Sequence, residues 1–326
     1  MINNFNYLRI SVTDRCNLKC RYCEVNPSAK LRPDDILSFE EIAYIARLTA
    51  QMGVKTVRIT GGEPLVRKSI TGLFKMVSEI NGIEEVSFTT NGINLDLYAS
   101  ELFNLGVKRF NLSLDTLDRS KYFELTGGGR LEKVIDNIRL AREIGFSPIK
   151  MNVVALKGIN DGEIFDFIDF ASKNGLILRF IELMDISANA GEFFSRHFMP
   201  VGDIKNIISS KYKLSPCTGG ANECGFKGAG PAAYESCENG LKIGFISPVT
   251  SHFCDGCNRL RLTASGILKS CLLRSGETNI MKMIRSGATE EELKKTIQNI
   301  FDNKEKARGE FSEKNIMFPN MSQIGG

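Results

Sequence analysis

Three cysteines stand close together near the start of the chain. Cys16, Cys20 and Cys23 have the spacing C-x3-C-x2-C, which is improbable by chance in a chain with nine cysteines among 326 residues. Closely spaced thiolates are the ligands that a soft metal or an iron–sulfur centre requires. Three thiolates on a four-iron cluster leave one iron open for chemistry. A zinc site or a purely structural cluster is the plainer interpretation, although structural zinc usually takes four protein ligands.

A second set of three cysteines lies late in the chain. Cys254 and Cys257 form a C-x2-C pair, and Cys271 follows fourteen residues later. A zinc-ribbon fragment or an incidental pair of thiols explains this spacing equally well. If these cysteines hold a cluster, it too has an open iron, which could bind a substrate. Because His197 and His252 are the only histidines, a histidine-rich metal site is excluded.

A short glycine pattern at the end of a predicted strand could bind a ligand. Gly61-Gly62-Glu63-Pro64 follows the second strand pattern, and its glycines allow a backbone to approach a ligand closely while Glu63 adds an acceptor. An ordinary Gly-Gly turn is the alternative.

Charged residues interrupt several strand patterns, and Arg259 and Arg261, two apart, share one face of a strand. Internal ion pairs could explain each cation singly. Together they favour a polyanion such as a nucleoside triphosphate: Arg9, Arg58, Lys150, Arg179, Arg259 and Arg261.

The first part of the chain alternates strand and helix patterns. The strand patterns are Tyr7–Thr13, Lys55–Thr60, Glu85–Thr90, Arg109–Leu114, Pro148–Ala155 and Ile177–Leu183. The helix patterns between them are Phe39–Met52, Ile70–Ile80, Leu95–Leu105, Leu131–Ile144 and Glu163–Asn174. Successive βα units predict a parallel sheet. Polar side chains that converge from many strands favour a barrel mouth over a single crevice.

We therefore predict an α/β fold, an incomplete (βα)6 TIM-like barrel over residues 1–200. A C-terminal α+β region over residues 201–326 is predicted to carry the second cysteine site. In that region Val201–Tyr212 has a helix pattern, whereas Ser215–Gly240 is rich in glycine, proline and cysteine and permits no assignment. A hairpin is predicted at Leu260–Thr263 and Ile267–Cys271, followed by two helices.

Composition excludes several classes of protein. The net charge of +4 is mild, so charge alone does not indicate a nucleic-acid binder. The mean hydropathy is -0.11, no apolar run reaches the length of a membrane span, and the N-terminus lacks a signal-peptide pattern. We expect a cytoplasmic protein whose cysteines are metal ligands or free thiols rather than disulfides.

The motifs, taken in order, resemble the GTP 3',8-cyclase family of the radical S-adenosylmethionine superfamily. The short cysteine motif with Tyr22 before its last cysteine, and the Gly-Gly-Glu-Pro string, are typical of the superfamily. Longer strings carry the closer resemblance, which covers essentially the whole chain: Leu8–Cys16, Thr89–Gly92, Asn111–Asp115, Lys157–Asp161, Arg179–Met184, Cys254–Arg261 and the terminal Gly325–Gly326.

The resemblance implies a role for each matching position. Cys16, Cys20 and Cys23 would hold a [4Fe-4S] cluster whose open iron chelates S-adenosylmethionine. Cys254, Cys257 and Cys271 would hold a second [4Fe-4S] cluster that binds the guanine of GTP. Four residues match positions that contact S-adenosylmethionine: Tyr22, Gly62, Ser113 and Met184. Seven match or join the GTP contacts: Arg9, Arg58, Thr89, Lys150, Arg179, Arg259 and Arg261. No side chain is implied as a catalytic acid, base or nucleophile.

The implied reaction is the first step of molybdenum-cofactor biosynthesis. GTP becomes 3',8-cyclo-7,8-dihydro-GTP when a hydrogen atom leaves carbon 3' of the ribose and that carbon bonds to carbon 8 of guanine. A further electron and proton transfer complete the product. The family implies a reductant such as flavodoxin, cyclic pyranopterin monophosphate synthase as the downstream enzyme and a homodimer, with no nucleic acid and no membrane as partners. It also implies that the Gly325–Gly326 tail enters the active site. Cys217, Cys224 and Cys237 depart from the family pattern and receive no role.

Two other functions remain open at this point. One keeps the radical superfamily but replaces GTP with a peptide or another small molecule. The other is a non-catalytic zinc protein that binds a nucleotide or nucleic acid through its basic residues. Arg259 and Arg261 discriminate against the first, because a peptide modifier has no need of a triphosphate site there. Metal analysis separates the second from a radical enzyme, because zinc without iron or sulfide would exclude the radical mechanism.

Overall fold

The computed structural model describes residues 5–23, 30–185, 191–217, 230–251, 257–272 and 278–306. Its described strands form one sheet. They are β1 (Tyr7–Ser11), β2 (Thr56–Thr60), β3 (Glu85–Thr90), β4 (Phe110–Ser113), β5 (Ile149–Ala155), β6 (Ile177–Glu182), β7 (Leu214–Pro216), β8 (Ala233–Cys237), β9 (Lys242–Ile246), β10 (Arg259–Leu262), β11 (Ile267–Lys269) and β12 (Thr278–Asn279).

The described helices lie between and after these strands. They are α1 (Phe39–Gln51), α2 (Ile70–Ser78), α3 (Ala99–Asn104), α4 (Arg119–Thr126), α5 (Leu131–Ile144), α6 (Ile164–Lys173), α7 (Gly191–His197), α8 (Val201–Ser209), α9 (Ile280–Arg285) and α10 (Glu290–Lys306). Four short 3-10 turns precede α1, α2, α3 and α6, at Pro33–Asp35, Pro64–Val66, Leu95–Leu97 and Asp161–Glu163.

The six predicted βα units form the centre of the sheet. Strands β1 to β6 are parallel neighbours in chain order. Helix α1 begins at a capping box, in which Ser38 and Glu41 bond each other's backbone amide groups. Its buried face includes Ile42 and Ile45, which belong to the same hydrophobic core as the strands. The predicted α/β architecture is therefore confirmed.

The C-terminal strands extend the same sheet on both sides. Strand β10 pairs in parallel with β1, and β9 pairs in parallel with β6. The order is β12-β11-β10-β1-β2-β3-β4-β5-β6-β9-β8-β7. Among the described strands nothing joins the β12 edge to the β7 edge, so the barrel is incomplete, as predicted. Eight neighbouring strands run parallel, two more than the sequence pattern indicates.

Several elements differ from the sequence prediction. The predicted helix Leu95–Leu105 is a 3-10 turn followed by α3. The stretch without a prediction contains β8, which pairs antiparallel with β7 and β9. Helix α4 was not predicted, because its sequence is mostly polar and buries only Tyr122, Leu125 and Thr126. The hairpin β10–β11 and the two helices after it are confirmed. No helix in the described part of the chain is long and apolar enough to span a bilayer.

Candidate functional site

Most of the predicted site residues line one cavity. It has a volume of about 320 Å³ and is lined by strands from β10 through β6 and by the loops that follow them. Fourteen of the seventeen predicted residues line it: Cys16, Cys20, Cys23, Tyr22, Gly62, Ser113, Met184, Arg9, Arg58, Thr89, Lys150, Arg179, Arg259 and Arg261. Cys257 and Cys271 are described but do not line the cavity, and Cys254 lies outside the described residues.

Helix α4 holds the first cysteine loop in place. The backbone amide groups of Lys19 and Arg21 donate to the carbonyl groups of Thr126 and Leu125, at 2.8 and 3.0 Å. The glycines after the helix permit this contact, because a Cβ atom on Gly129 would lie 3.0 Å from Leu18 and 2.5 Å from Thr126 Oγ1. An unpredicted helix therefore positions the loop that carries Cys16, Cys20 and Cys23.

The Gly61-Gly62 pair packs against the same loop from the other side. The Gly62 and Glu63 amide groups donate to the carbonyl groups of Thr13 and Arg15, at 2.7 and 2.8 Å. A Cβ atom on Gly62 would lie 2.3 Å from the Arg15 carbonyl oxygen. The glycines are thus required for an approach between two loops of the chain, while Gly62 also faces the cavity.

Glu63 bonds to the protein through both carboxylate oxygens, which corrects its predicted role as an acceptor for a ligand. Oε1 accepts from the Leu65 amide at 3.0 Å and from the Thr90 hydroxyl at 2.8 Å, and Oε2 accepts from the Asn91 amide at 2.7 Å. Burial raises the pKa of Glu63 to about 7. Asn91 in turn donates from Nδ2 to Cys16 Sγ at 3.8 Å. Glu63 therefore positions Asn91, which touches the first cysteine.

Asp115 anchors Tyr22 to the sheet. The Tyr22 hydroxyl donates to Asp115 Oδ2 at 2.5 Å, and Asp115 Oδ1 accepts from the Val154 amide at 2.7 Å. Burial raises the pKa of Asp115 to about 6 and also raises that of Tyr22. Sequence reasoning proposed Tyr22 but gave Asp115 no role, although it ends the Asn111–Asp115 motif. This bond fixes the cysteine loop between its second and third cysteines.

Register aligns the cations in rows across neighbouring strands. Arg9 on β1 lies beside Arg58 on β2 and beside Arg261 on β10. Residues opposite each other in a sheet point to the same face, and these three line the cavity together. Burial and then Arg261 lower the pKa of Arg9. Burial, then Arg179, lowers the pKa of Lys150 to about 7. The wall is therefore strongly positive and suits a polyanion.

Four buried polar atoms of the cavity wall have no hydrogen-bond partner in the described structure. They are Arg9 Nε, Thr89 Oγ1, Asn152 Oδ1 and Arg179 Nε. Buried polar atoms are normally paired, so orphaned atoms that face one cavity indicate a polar ligand. Asn152 was missed by sequence reasoning. It lies between Ser113 and Arg179 in register on three neighbouring strands.

The unassigned stretch of sequence supports Arg179. Gly244 on β9 lies opposite Arg179 on β6 and Tyr234 on β8. A Cβ atom at Gly244 would lie 2.8 Å from side-chain atoms of both neighbours, so glycine makes room for the arginine and the tyrosine. Tyr234 hydrogen-bonds to the Arg179 side chain.

The nearby Glu182 accepts hydrogen bonds from the amide groups of Val201, Val249 and Thr250, and these bonds connect β6 to the chain that follows it.

The second cysteine site lies at the start of β10. Burial raises the pKa of Cys257, but Arg259 and Lys304 outweigh it and bring the pKa to about 6. Lys304 donates from Nζ to Cys257 Sγ at 3.2 Å. A lowered pKa favours the thiolate, which is the form that binds iron. Cys271, at the end of the β11 side of the hairpin, is close enough to act on the Lys304 charge.

The described residues limit the kind of metal site that the chain can form. Within the described ranges no three His, Cys, Asp or Glu side chains converge on a position for a single metal ion. Each iron of a cubane takes its own thiolate, so a cubane does not require three ligands that converge on one point, and Cys16, Cys20 and Cys23 line one cavity.

Cys217 is disulfide-bonded, which contradicts the expectation that no cysteine forms a disulfide. Cys237 is a buried free thiol in β8, whereas Cys224, His252 and the Gly325–Gly326 tail lie outside the described residues.

Family models match both parts of the chain. Residues 10–171 match the radical SAM superfamily, and residues 176–309 match Molybdenum Cofactor Synthesis C. A GTP 3',8-cyclase from Moorella thermoacetica is 46% identical over 290 residues, covering 88% of this chain and 87% of the relative. A GTP 3',8-cyclase from Thermodesulfovibrio yellowstonii is 42% identical and covers 99% of this chain and 98% of the relative.

The fold also matches a solved structure. The crystal structure of Streptococcus suis SuiB bound to S-adenosylmethionine aligns with a TM-score of 0.66 at 17% identity, over 93% of this chain and 68% of that protein. This likeness concerns the fold alone. The identity to the curated relatives extends over nearly the whole length of both sequences. The chain belongs to the GTP 3',8-cyclase family of the radical SAM superfamily.

Proposed function

We propose that this chain converts GTP to 3',8-cyclo-7,8-dihydro-GTP, the first step of molybdenum-cofactor biosynthesis. The single observation that best supports this is the cavity, which is lined by three thiols and by a row of arginines that crosses β10, β1 and β2. A radical reaction on a nucleoside triphosphate requires both cysteine ligands for a cluster and a binding site for a polyanion in the same cavity.

The first cysteine loop fits a four-iron cluster and S-adenosylmethionine. Cys16, Cys20 and Cys23 would hold the cluster, which supplies one electron to S-adenosylmethionine so that its 5'-deoxyadenosyl group can remove hydrogen from carbon 3' of GTP. Tyr22, Gly62, Ser113 and Met184 would bind the cosubstrate, joined by Asn152 through its unpartnered Oδ1. The protein contributes by positioning the reactants, because groups that are already held in contact do not have to meet by diffusion.

The cations that line the cavity would bind GTP. The side chains of Arg9, Arg58 and Arg261 would pair with phosphate oxygens in a buried setting where such charge-assisted bonds are strong. Lys150, Arg179, Arg259 and Thr89 would complete these contacts, since all of them line the same cavity. Cys254, Cys257 and Cys271 would hold a second four-iron cluster that contacts guanine. The ribose is then fixed between the two cysteine sites, and water is excluded from the reacting carbons.

Anaerobic turnover tests the reaction. Reconstituted protein with a reductant, S-adenosylmethionine and GTP is expected to form 5'-deoxyadenosine and the cyclised nucleotide together, measured by chromatography and mass spectrometry. Cys257→Ala should still cleave S-adenosylmethionine but lose cyclisation, because it lacks a ligand for the second cluster. Cys237→Ala, which changes a buried thiol outside the cavity lining, is the matched control. Cleavage without GTP consumption by the unaltered protein would contradict the proposal.

The finer expectations concern partners and location. We expect a flavodoxin-like reductant, cyclic pyranopterin monophosphate synthase as the enzyme that takes the product, a homodimer and a cytoplasmic location. The Gly325–Gly326 tail is expected to enter the active site, where residues without side chains fit a narrow path. Deleting the two glycines and measuring cyclisation against cleavage tests the last expectation.

A further inference from the structure

Lys304 occupies a position where the helix pattern calls for an apolar residue. On α10, Leu293, Ile297 and Phe301 recur at four-residue spacing and are 0%, 0% and 2% exposed. Lys304 follows three residues later on the same face of the helix and is 7% exposed. Phe301 packs against Phe5, with ring centroids 4.6 Å apart. A lysine on this face is costly unless its charge is compensated.

The partners of the Lys304 ammonium lie at the second cysteine site. Nζ donates to Cys257 Sγ at 3.2 Å and to the Arg259 carbonyl at 2.6 Å. No carboxylate within the described ranges forms an ion pair with it. Cys271 also acts on its charge. Within the described residues, the side-chain partner of Lys304 is therefore the sulfur of Cys257, at the second cysteine site.

Lys304 does not line the cavity. It approaches Cys257 from the helix side, whereas Arg259 and Arg261 face the cavity from β10. A charge in this place cannot bind GTP directly. It can act only on the group that the cysteines hold, and a fixed positive charge stabilises the more negative, reduced state of a cluster.

We propose that Lys304 is the charge partner of the second iron–sulfur cluster and raises the reduction potential of that cluster. This inference rests on the proposed function, because it requires a cluster on Cys254, Cys257 and Cys271. Lys304 is thus a positioning residue that acts through Cys257.

Redox titration of single-cluster protein tests the proposal. The Cys16→Ala/Cys20→Ala/Cys23→Ala background keeps only the second set of ligands, and electron paramagnetic resonance follows its one-electron reduction by dithionite in the presence of mediators. In this background Lys304→Met is expected to lower the equilibrium constant for reduction at least tenfold, which is about 59 mV toward negative potential. Lys304→Arg, which keeps the charge, should remain near the unaltered value. Lys294→Met, on the exposed side of the same helix, is the control.

The outcomes are distinguishable. Equal potentials in Lys304→Met and the unaltered background would overturn the inference. If Lys304→Met and Lys304→Gln lose the cluster while Lys304→Arg keeps about four iron atoms per chain, the charge is needed even for assembly, which supports it. Loss of the cluster in Lys304→Arg as well would overturn it, because shape rather than charge would then matter. If the background itself binds no iron, the proposed function fails before any Lys304 variant is compared.

Discussion

At the scale of single residues, Lys150 is buried near other positively charged side chains. Burial and then Arg179 lower its pKa to about 7, so the free protein loses the ammonium as pH rises through that value. A bound triphosphate favours the ammonium form, which means that GTP binding takes up a proton above pH 7.

We expect the dissociation constant for GTP to rise up to about tenfold between pH 7.5 and 8.5, because one proton is linked to binding. Lys150→Arg should flatten this dependence, since arginine stays charged over the whole range. Calorimetry in two buffers of different ionisation enthalpy, without reductant, measures the proton uptake directly. Parallel pH profiles for the two proteins would contradict the assignment.

Asp115 and Tyr22 form a second residue-scale pair. Replacing Asp115 with Asn removes the charged acceptor of a bond that is worth about 1.5–3 kcal/mol, so cleavage of S-adenosylmethionine should fall about tenfold or more. Tyr22→Phe should cause a similar loss, and the double variant should be little worse than either, because both changes remove one interaction. Single-turnover formation of 5'-deoxyadenosine measures all three; additive losses would show that the two residues act separately.

At the scale of elements, two loops must touch for the first cysteine site to form. Gly62→Ala would put a methyl group 2.3 Å from the Arg15 carbonyl oxygen, so the loop after β2 and the loop after β1 would separate. We expect the variant to lose the first cluster and retain the second, leaving about four of eight iron atoms per chain.

Gly72→Ala is the matched control, because a Cβ atom there meets nothing within 4 Å on helix α2. It should keep all the iron and stabilise the helix by up to about 1 kcal/mol. Iron and sulfide analysis with thermal unfolding separates the two variants. Full iron content in Gly62→Ala would mean that the loops tolerate a separation.

At the scale of the whole molecule, the cavity wall concentrates positive charge, which a polyanionic ligand would offset. Arg9 is the clearest case, because its Nε has no partner and its pKa is lowered by burial and then by Arg261. Arg9→Met should therefore raise the free energy of unfolding of the GTP-free protein by about 1–2 kcal/mol, while it abolishes most of the stabilisation that GTP adds.

Thermal unfolding with and without GTP measures both effects. Arg139→Met, which changes an exposed arginine paired with Asp136, should alter neither. A lower melting temperature for Arg9→Met without GTP would show that the arginine is satisfied within the protein.

Sequence patterns predict the site correctly where its residues lie close together in the sequence or recur at regular strand positions. The first cysteine spacing, and cations at alternating strand positions, identify side chains that do line one cavity, because parallel strands bring equivalent positions together. Contacts between distant segments were not visible. Asp115 is 93 residues from Tyr22, and Lys304 is 47 from Cys257. The mostly polar helix α4 gave no periodic signal, since it buries only Tyr122, Leu125 and Thr126.

The pairing of β10 with β1 has a consequence for how the protein is made. Asn258 bonds to Asn6 at 2.6 Å although 252 residues separate them. At a synthesis rate of about 5–20 residues per second, the β1 edge waits about 10–50 s for its neighbour. During that interval an unpaired strand edge is open to other chains. We therefore expect folding in the cell to depend on a chaperone until β10, in the last fifth of the chain, has left the ribosome.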